Sequence, residues 1–237
     1  MKRRILRGKG LVIILFALAL MSWKPEDEVA SPGINELYDT AGLAESGLSL
    51  SVFEKAVTGF YNLKNTGRLS ATKSILSIAD FDLNSTKKRL WIIDLEKKEL
   101  ILNTWVAHGE RSGTDKALYF SNNNESLKSS IGFFITGESY YGKHGLSLKL
   151  DGVDQGFNTN ARKRAIVVHG ADYVSQETIN ALGRLGRSQG CPAVPQELSA
   201  TIVHAIEDKT VLFIHTSDQN YTSIYLDEDP GTVLASK

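Results

Sequence analysis

The spacing of apolar and polar positions divides the chain into stretches of different period. Between Ile34 and Gly67 the apolar residues recur at helical spacing, with Val52, Ala56, Phe60 and Leu63 on one face of VFEKAVTGFYNLKN. Ser51 followed by Glu54 reads as a capping box at its start, and Gly67 as its stop. From Lys73 onward the pattern becomes that of strands. KSILSIADF, RLWIIDL and LILNTWVAH are rich in β-branched and aromatic residues, and EKKE between the last two marks a hairpin turn. GFFITG and LSLKL follow, the latter alternating strictly as a strand with one wet face does. RAIVVHG, residues 164–170, is a continuous apolar run between charge and His-Gly, which predicts a fully buried strand. A short helix is expected from Gln176 to about Leu182, capped by Ser175 and stopped by Gly183. Pro195 is expected to open a second helix in PQELSATIVHAIEDK, and TVLFIH to close the sheet. The fold class is therefore mainly β, with a helical N-terminal segment and short helices flanking the loop around Cys191.

The start has a different pattern. Lys2, Arg3, Arg4, Arg7 and Lys9 precede the apolar run LVIILFALAL, and Ala17 and Ala19 toward its end stand in the spacing of a cleavage site. Residues 1–22 are read as an export signal or N-terminal anchor. Cleavage is favoured because so short a run falls well below the roughly 20 residues that span a bilayer. Without cleavage the same segment would tether the chain to a membrane. No cysteine lies near Ala19, which excludes lipid attachment there. Residues 23–33 read as a linker, 34–72 as the helical segment, 73–220 as the main, strand-rich domain and 221–237 as a C-terminal tail.

Charge narrows the partners. The formal net charge is zero, with 27 basic and 27 acidic residues. Setting aside the five N-terminal cations leaves 22 against 27, a formal −5. A mildly acidic body lacks the clustered cations that phosphate backbones require, which excludes nucleic acid as the partner.

Export makes the cysteine count informative. Cys191 is the only cysteine, and in an oxidising compartment a lone thiol cannot form a disulfide within its own chain. It can be an inert buried hydrophobe, an intermolecular bridge, a metal ligand or a nucleophile. Buried inert thiols usually lie in apolar runs, whereas Cys191 sits in GRLGRSQGCPAVP among Arg, Ser, Gln and Gly. His169 ends the expected buried strand 22 residues earlier, which lets a helix fold back and bring imidazole to thiol. Such a base is needed within about 3 Å, since a free thiol with pKa near 8.5 is mostly protonated at neutral pH. The backbone N–H groups of Gln189, Gly190 and Cys191 are expected to converge on an oxyanion. Pro192 biases Cys191 toward an extended backbone. Arg184 and Arg187 are expected to lower the thiol pKa and to hold a substrate carboxylate.

IVVHGADYV followed by GRLGRSQGCPAVP resembles the L,D-transpeptidase (YkuD-like) family, whose hallmark is an HG strand end followed by a Ser-x-Gly-Cys loop. It is more similar to the murein L,D-transpeptidase catalytic domain branch, in which GRSxGCPA is typical. WVAHGERSG, FSNNNESLKSSIGFF and SYYGKHG extend the resemblance over about residues 51–215. One position departs: the wider family has histidine where this chain has Gln189. The resemblance implies a β-sandwich or barrel and a peptidoglycan enzyme exported to the periplasm or cell envelope. It also implies stem peptides as partner, no cofactor and no metal. Cys191 would form a thioester with the stem, His169 would be the base and the Gly170 carbonyl would orient it. Ser188 and His144 are assigned to substrate with Arg184 and Arg187. Water as acceptor would make the enzyme an L,D-carboxypeptidase.

Other classes stay in view. His108, His144 and His169 with Cys191 offer donors for a zinc-dependent cell-wall peptidase, although no HExxH pair is present. His204 and His215 are read as structural. A noncatalytic wall-binding module would rest on Gln189 alone.

Overall fold

A computed structural model describes residues 32–227. Two helices come first, α1 (Pro32–Thr40) and α2 (Leu50–Asn65), so the last residues of the expected linker already belong to α1. Eight strands follow: β1 (Ile75–Asp80), β2 (Leu90–Asp94), β3 (Glu99–Thr104), β4 (Gly132–Gly142), β5 (Gly145–Gly152), β6 (Val167–Ala171), β7 (Ala193–Pro195) and β8 (Val211–His215). Helix α3 (Gln176–Leu182) lies between β6 and β7, and α4 (Ser199–Ile206) between β7 and β8.

The strands form one sheet in the order β3-β2-β1-β8-β4-β5-β6-β7. Pairs β1–β8 and β6–β7 are parallel and the rest antiparallel. Beyond β3 the chain continues to Ala107, which bridges Ala193 of β7, so the sheet nearly closes into a barrel. TVLFIH is thus the central strand rather than the closing one, held between β1 and β4.

Burial on both faces explains why β1, β2 and β8 are apolar at most positions rather than alternating. Leu76, Ile78, Trp91, Ile93, Phe133, Ile135, Val211 and Phe213 point to the side covered by α1 and α2. Their neighbours Ile75, Ala79, Leu90, Ile92, Phe134, Leu212 and Ile214 point into the barrel with Ile202, Val203 and Ile206 of α4. The helical segment and the sheet therefore share one core. Gly59 permits that packing, because a Cβ there would stand 2.0 Å from the Phe133 ring.

Several local expectations change. Helix α2 begins at Leu50 with Ser49 at its N-cap, so Ser51 lies inside the helix and the expected capping box is absent. Ser51 Oγ instead bonds Ser49 Oγ at 2.9 Å. Pro195 ends β7 rather than opening a helix, and α4 starts at Ser199 after a single 3-10 turn. Helix α3 follows its reading, with Ser175 accepting from the Thr178 amide and Gly183 left-handed. The wet face of LSLKL is interrupted: Ser147 is 1% exposed, while Lys149 pairs with Glu138. Residues 221–227 pack onto the body rather than trailing from it. Asp154 accepts from the Tyr221 and Ser223 hydroxyls, and Tyr225 is buried beside α2. The export signal, most of the linker and residues 228–237 lie outside the described residues.

Candidate active site

His169 and Cys191 open into one cleft of about 560 Å³. Strand β6 delivers His169 and the parallel β7 starts two residues after Cys191; His169 pairs with Ala193, so the two groups are fixed by adjacent strands. The segment 107–110 flanks the loop on its other side. Ala107 exchanges hydrogen bonds with Ala193, Ser188 N–H donates to His108 O, and Glu110 N–H donates to Ser188 O. Gly190, at φ 121°, lies where a Cβ would strike Lys128 O at 2.8 Å, so only glycine lets the loop settle there.

The imidazole is held by the carbonyl of the residue that follows it. His169 Nδ1 lies 2.8 Å from Gly170 O, which places the proton on Nδ1 and leaves Nε2 as acceptor. Burial holds His169 below the usual imidazole range, opposed by the Gly170 carbonyl and reinforced by His144 and Lys143. The neutral ring is therefore the resting form at neutral pH. His144 stacks on it at 4.4 Å between centroids. Lys143 and His144 form the tip of the β4–β5 hairpin, which reaches over the cleft.

The thiol has different partners from those expected. Cys191 Sγ donates to Ala165 O at 3.7 Å and accepts from Val167 N–H at 3.5 Å. No hydrogen bond joins it to His169 among the described residues. Burial pushes the Cys191 thiol up, while the Val167 amide, Arg164 and Lys143 favour its thiolate. Arg164 is the cation that sequence proximity missed. Its guanidinium donates to Ser121 O, Ser130 Oγ, Ser126 Oγ and Lys128 O, pinning the 121–130 loop beside Gly190. The signal was present in RKRAIVV, where cations immediately precede the buried strand that ends in His169.

The two arginines chosen from the loop fare differently. Arg187 lines the cleft, but its Nη1 is held by Glu110 O at 3.0 Å and Gly113 O at 2.9 Å. Arg184 donates to Leu185 O and lines no part of the cleft, so it is not positioned for substrate. The cations that favour the thiolate are Arg164 and Lys143. Ser188 is 5% exposed, and its hydroxyl serves the loop: it donates to Cys191 O at 2.6 Å and accepts from Gly190 N–H at 3.1 Å. The Gly190 amide is thereby occupied, which removes it from the expected oxyanion donors. The N–H groups of Gln189 and Cys191 take no acceptor among the described residues.

Zinc ligation by the histidines with Cys191 does not fit this geometry. His108 is 1% exposed and its Nδ1 accepts from Arg89 Nη2 at 2.8 Å. Burial and that guanidinium bring its pKa down to about 4. His204 is exposed and pairs with Glu207. A larger cleft of about 840 Å³ lies elsewhere, lined by Arg68, Glu138 and Arg162. It is lined by neither a cysteine nor a histidine, and Arg162 there is neutralised by Glu138 and Asp151.

Among curated proteins no sequence match is found. Solved structures that resemble the chain include an L,D-transpeptidase from Mycobacterium smegmatis, at 11% identity over 61% of this chain and 59% of that one, with a TM-score of 0.38. A mutant of the helical cell shape determining protein Pgp2 from Campylobacter jejuni aligns at 14% identity over 76% and 61%, with a TM-score of 0.41. An L,D-transpeptidase from Mycobacterium tuberculosis H37Rv aligns at 11% identity over 61% and 58%, with a TM-score of 0.37. The alignments span about 60% of the length of those structures. A family model for the L,D-transpeptidase catalytic domain matches residues 44–215, most of the chain and both Cys191 and His169, and the chain belongs to that family.

Proposed function

We propose that the protein is an exported peptidoglycan L,D-transpeptidase that uses Cys191 as nucleophile. The observation that carries this is the meeting of the thiol with an imidazole in one cleft, its Nδ1 committed to the Gly170 carbonyl. His169 Nε2 takes the thiol proton, and the sulfur attacks the carbonyl of the amide between the third stem residue and D-Ala. The Gln189 and Cys191 amides stand ready for the developing oxyanion. The imidazolium returns its proton to the departing amine, D-Ala leaves and a thioester remains. An amine from a neighbouring stem then attacks the thioester, His169 accepts its proton, and the thiolate is released to be reprotonated. Water in place of the amine gives L,D-carboxypeptidase products by the same route. In the free enzyme thiol and imidazole are not bonded, a looseness that tightens when substrate fills a site.

In the same proposal residues 1–22 direct export, or tether the chain if uncleaved, and place the enzyme in the cell envelope. Residues 34–72 buttress the catalytic body. Among the described residues no helix is long and apolar enough to cross a membrane.

Mass spectrometry of a purified stem tetrapeptide incubated with the protein tests the proposal. Loss of D-Ala and a thioester adduct on Cys191 are expected, with no turnover by Cys191→Ala. His169→Gln should fold and slow acylation by on the order of 10² to 10⁴. Turnover by Cys191→Ala at the wild-type rate would refute the mechanism.

A further inference from the structure

At the ends of the two central parallel strands, Asp80 of β1 stands in register with His215 of β8, and the chain turns back at Asp82. One donor atom from each of these three residues lies within 4.8 Å of the others. Asp80 and His215 are each 6% exposed. The polar contact of the His215 ring among the described residues is a charged one. Its nearest charged neighbour is Asp82 Oδ2, with Nε2 at 3.5 Å. That separation is long for a hydrogen bond. It suits two ligands of one ion, since atoms about 2.0–2.1 Å from a tetrahedral zinc stand about 3.4 Å apart.

The carboxylates are held for such a role. Asp82 Oδ1 accepts from Thr216 Oγ1 at 3.2 Å and Ser217 N–H at 3.1 Å, which turns Oδ2 toward the histidine. Asp80 Oδ1 accepts from the Asp82 amide at 3.0 Å. These bonds do for the oxygens what outer partners do in metal sites, fixing each ligand before the ion arrives.

We infer that Asp80, Asp82 and His215 form a binding site for a divalent cation of the zinc class, which would clamp the ends of β1 and β8 together. Two carboxylates and one imidazole without a thiolate favour a borderline ion, and a fourth position would be left to water. None of the three lines the catalytic cleft, so the site stands apart from the proposed acyl transfer.

The test uses the full chain carrying Cys191→Ala, which removes the only thiol, stripped of metal by chelation. Calorimetric titration with zinc should show one equivalent bound. Zinc at about a hundredfold excess over its Kd should raise the melting temperature by roughly 5–10 °C. Asp82→Asn, which keeps the Oδ1 contacts, and His215→Gln should abolish both effects. Cobalt should give the visible bands of a tetrahedral nitrogen and oxygen site, a measurement on the Cys191→Ala chain that decides the matter even where a ligand variant does not fold. In the wild type, chelation should lower the melting temperature and leave the rate of Cys191 alkylation unchanged. Absence of binding in the Cys191→Ala chain, or binding unaffected by both ligand substitutions, would overturn the inference.

Discussion

Replacing Arg164 separates the two tasks that one guanidinium performs. It pins the 121–130 loop through four acceptors, and its charge favours the Cys191 thiolate. Arg164→Lys keeps the charge and reaches one or two of those acceptors, so two or three bonds are lost. At about 1 kcal/mol net for each, the folded state should lose roughly 2–3 kcal/mol. Arg164→Gln should lose a similar amount and the charge as well. Below the thiol pKa, alkylation proceeds in proportion to the thiolate fraction, and removal of a partly screened neighbouring cation should lower that fraction on the order of tenfold. Urea denaturation measures the first effect, and the pH dependence of iodoacetamide alkylation measures the second. The lysine variant should then be unstable with a nearly normal thiol, and the glutamine variant unstable with a sluggish one. Equal alkylation profiles in the wild type and the glutamine variant would refute the electrostatic role, and unchanged urea midpoints would refute the pinning.

Three further outcomes follow from the packing and the loop. Gly59→Ala should lower the unfolding free energy measured in urea by about 1–2 kcal/mol, because crowding a fully buried Phe133 stacked at 4.3 Å on Phe213 outweighs a helix-propensity gain of about 1 kcal/mol. His108 titrates at about 4 in the folded chain and near 6.5 when unfolded, so the unfolded state binds the proton first. Its contribution is intact above pH 6.5 and is lost as pH falls toward 4, by roughly 3 kcal/mol, a slope that His108→Asn should flatten in urea midpoints taken across that range. Ser188→Ala removes both hydroxyl bonds that shape the cysteine loop and should cost about 1–3 kcal/mol. The same variant should lower kcat with little change in KM, whereas a large rise in KM alone would return Ser188 to substrate binding.

The parts of the site written into adjacent residues were legible in the sequence. His-Gly at a strand end fixes both the imidazole and the carbonyl that orients it, and Gly-Cys-Pro fixes the direction of the thiol. Charge around the sulfur was not legible, because proximity in the chain is a poor guide to proximity in a folded loop. Arg184 and Arg187 turn to backbone carbonyls nearby, whereas Arg164 and Lys143 arrive from the turn before β6 and from a hairpin tip. Strand existence followed from period and composition, but strand order did not, since TVLFIH would read alike at an edge or at the centre. The capping box failed for a local reason. Two serines compete at the start of α2, and the helix adopts the earlier one as its cap.

The central place of β8 governs when the fold can form. Leu76 pairs with Val211, about 135 residues further along, and closing so long a loop costs about 4 kcal/mol before any contact across it is gained. Until Val211–His215 inserts, β1–β3 and β4–β7 are two separate half-sheets, each presenting an unpaired inner edge. Folding should accordingly be slow and should complete only after the last strand has been synthesised. A chain in that waiting state is at once competent to be threaded through a membrane and exposed to aggregation by its open edges.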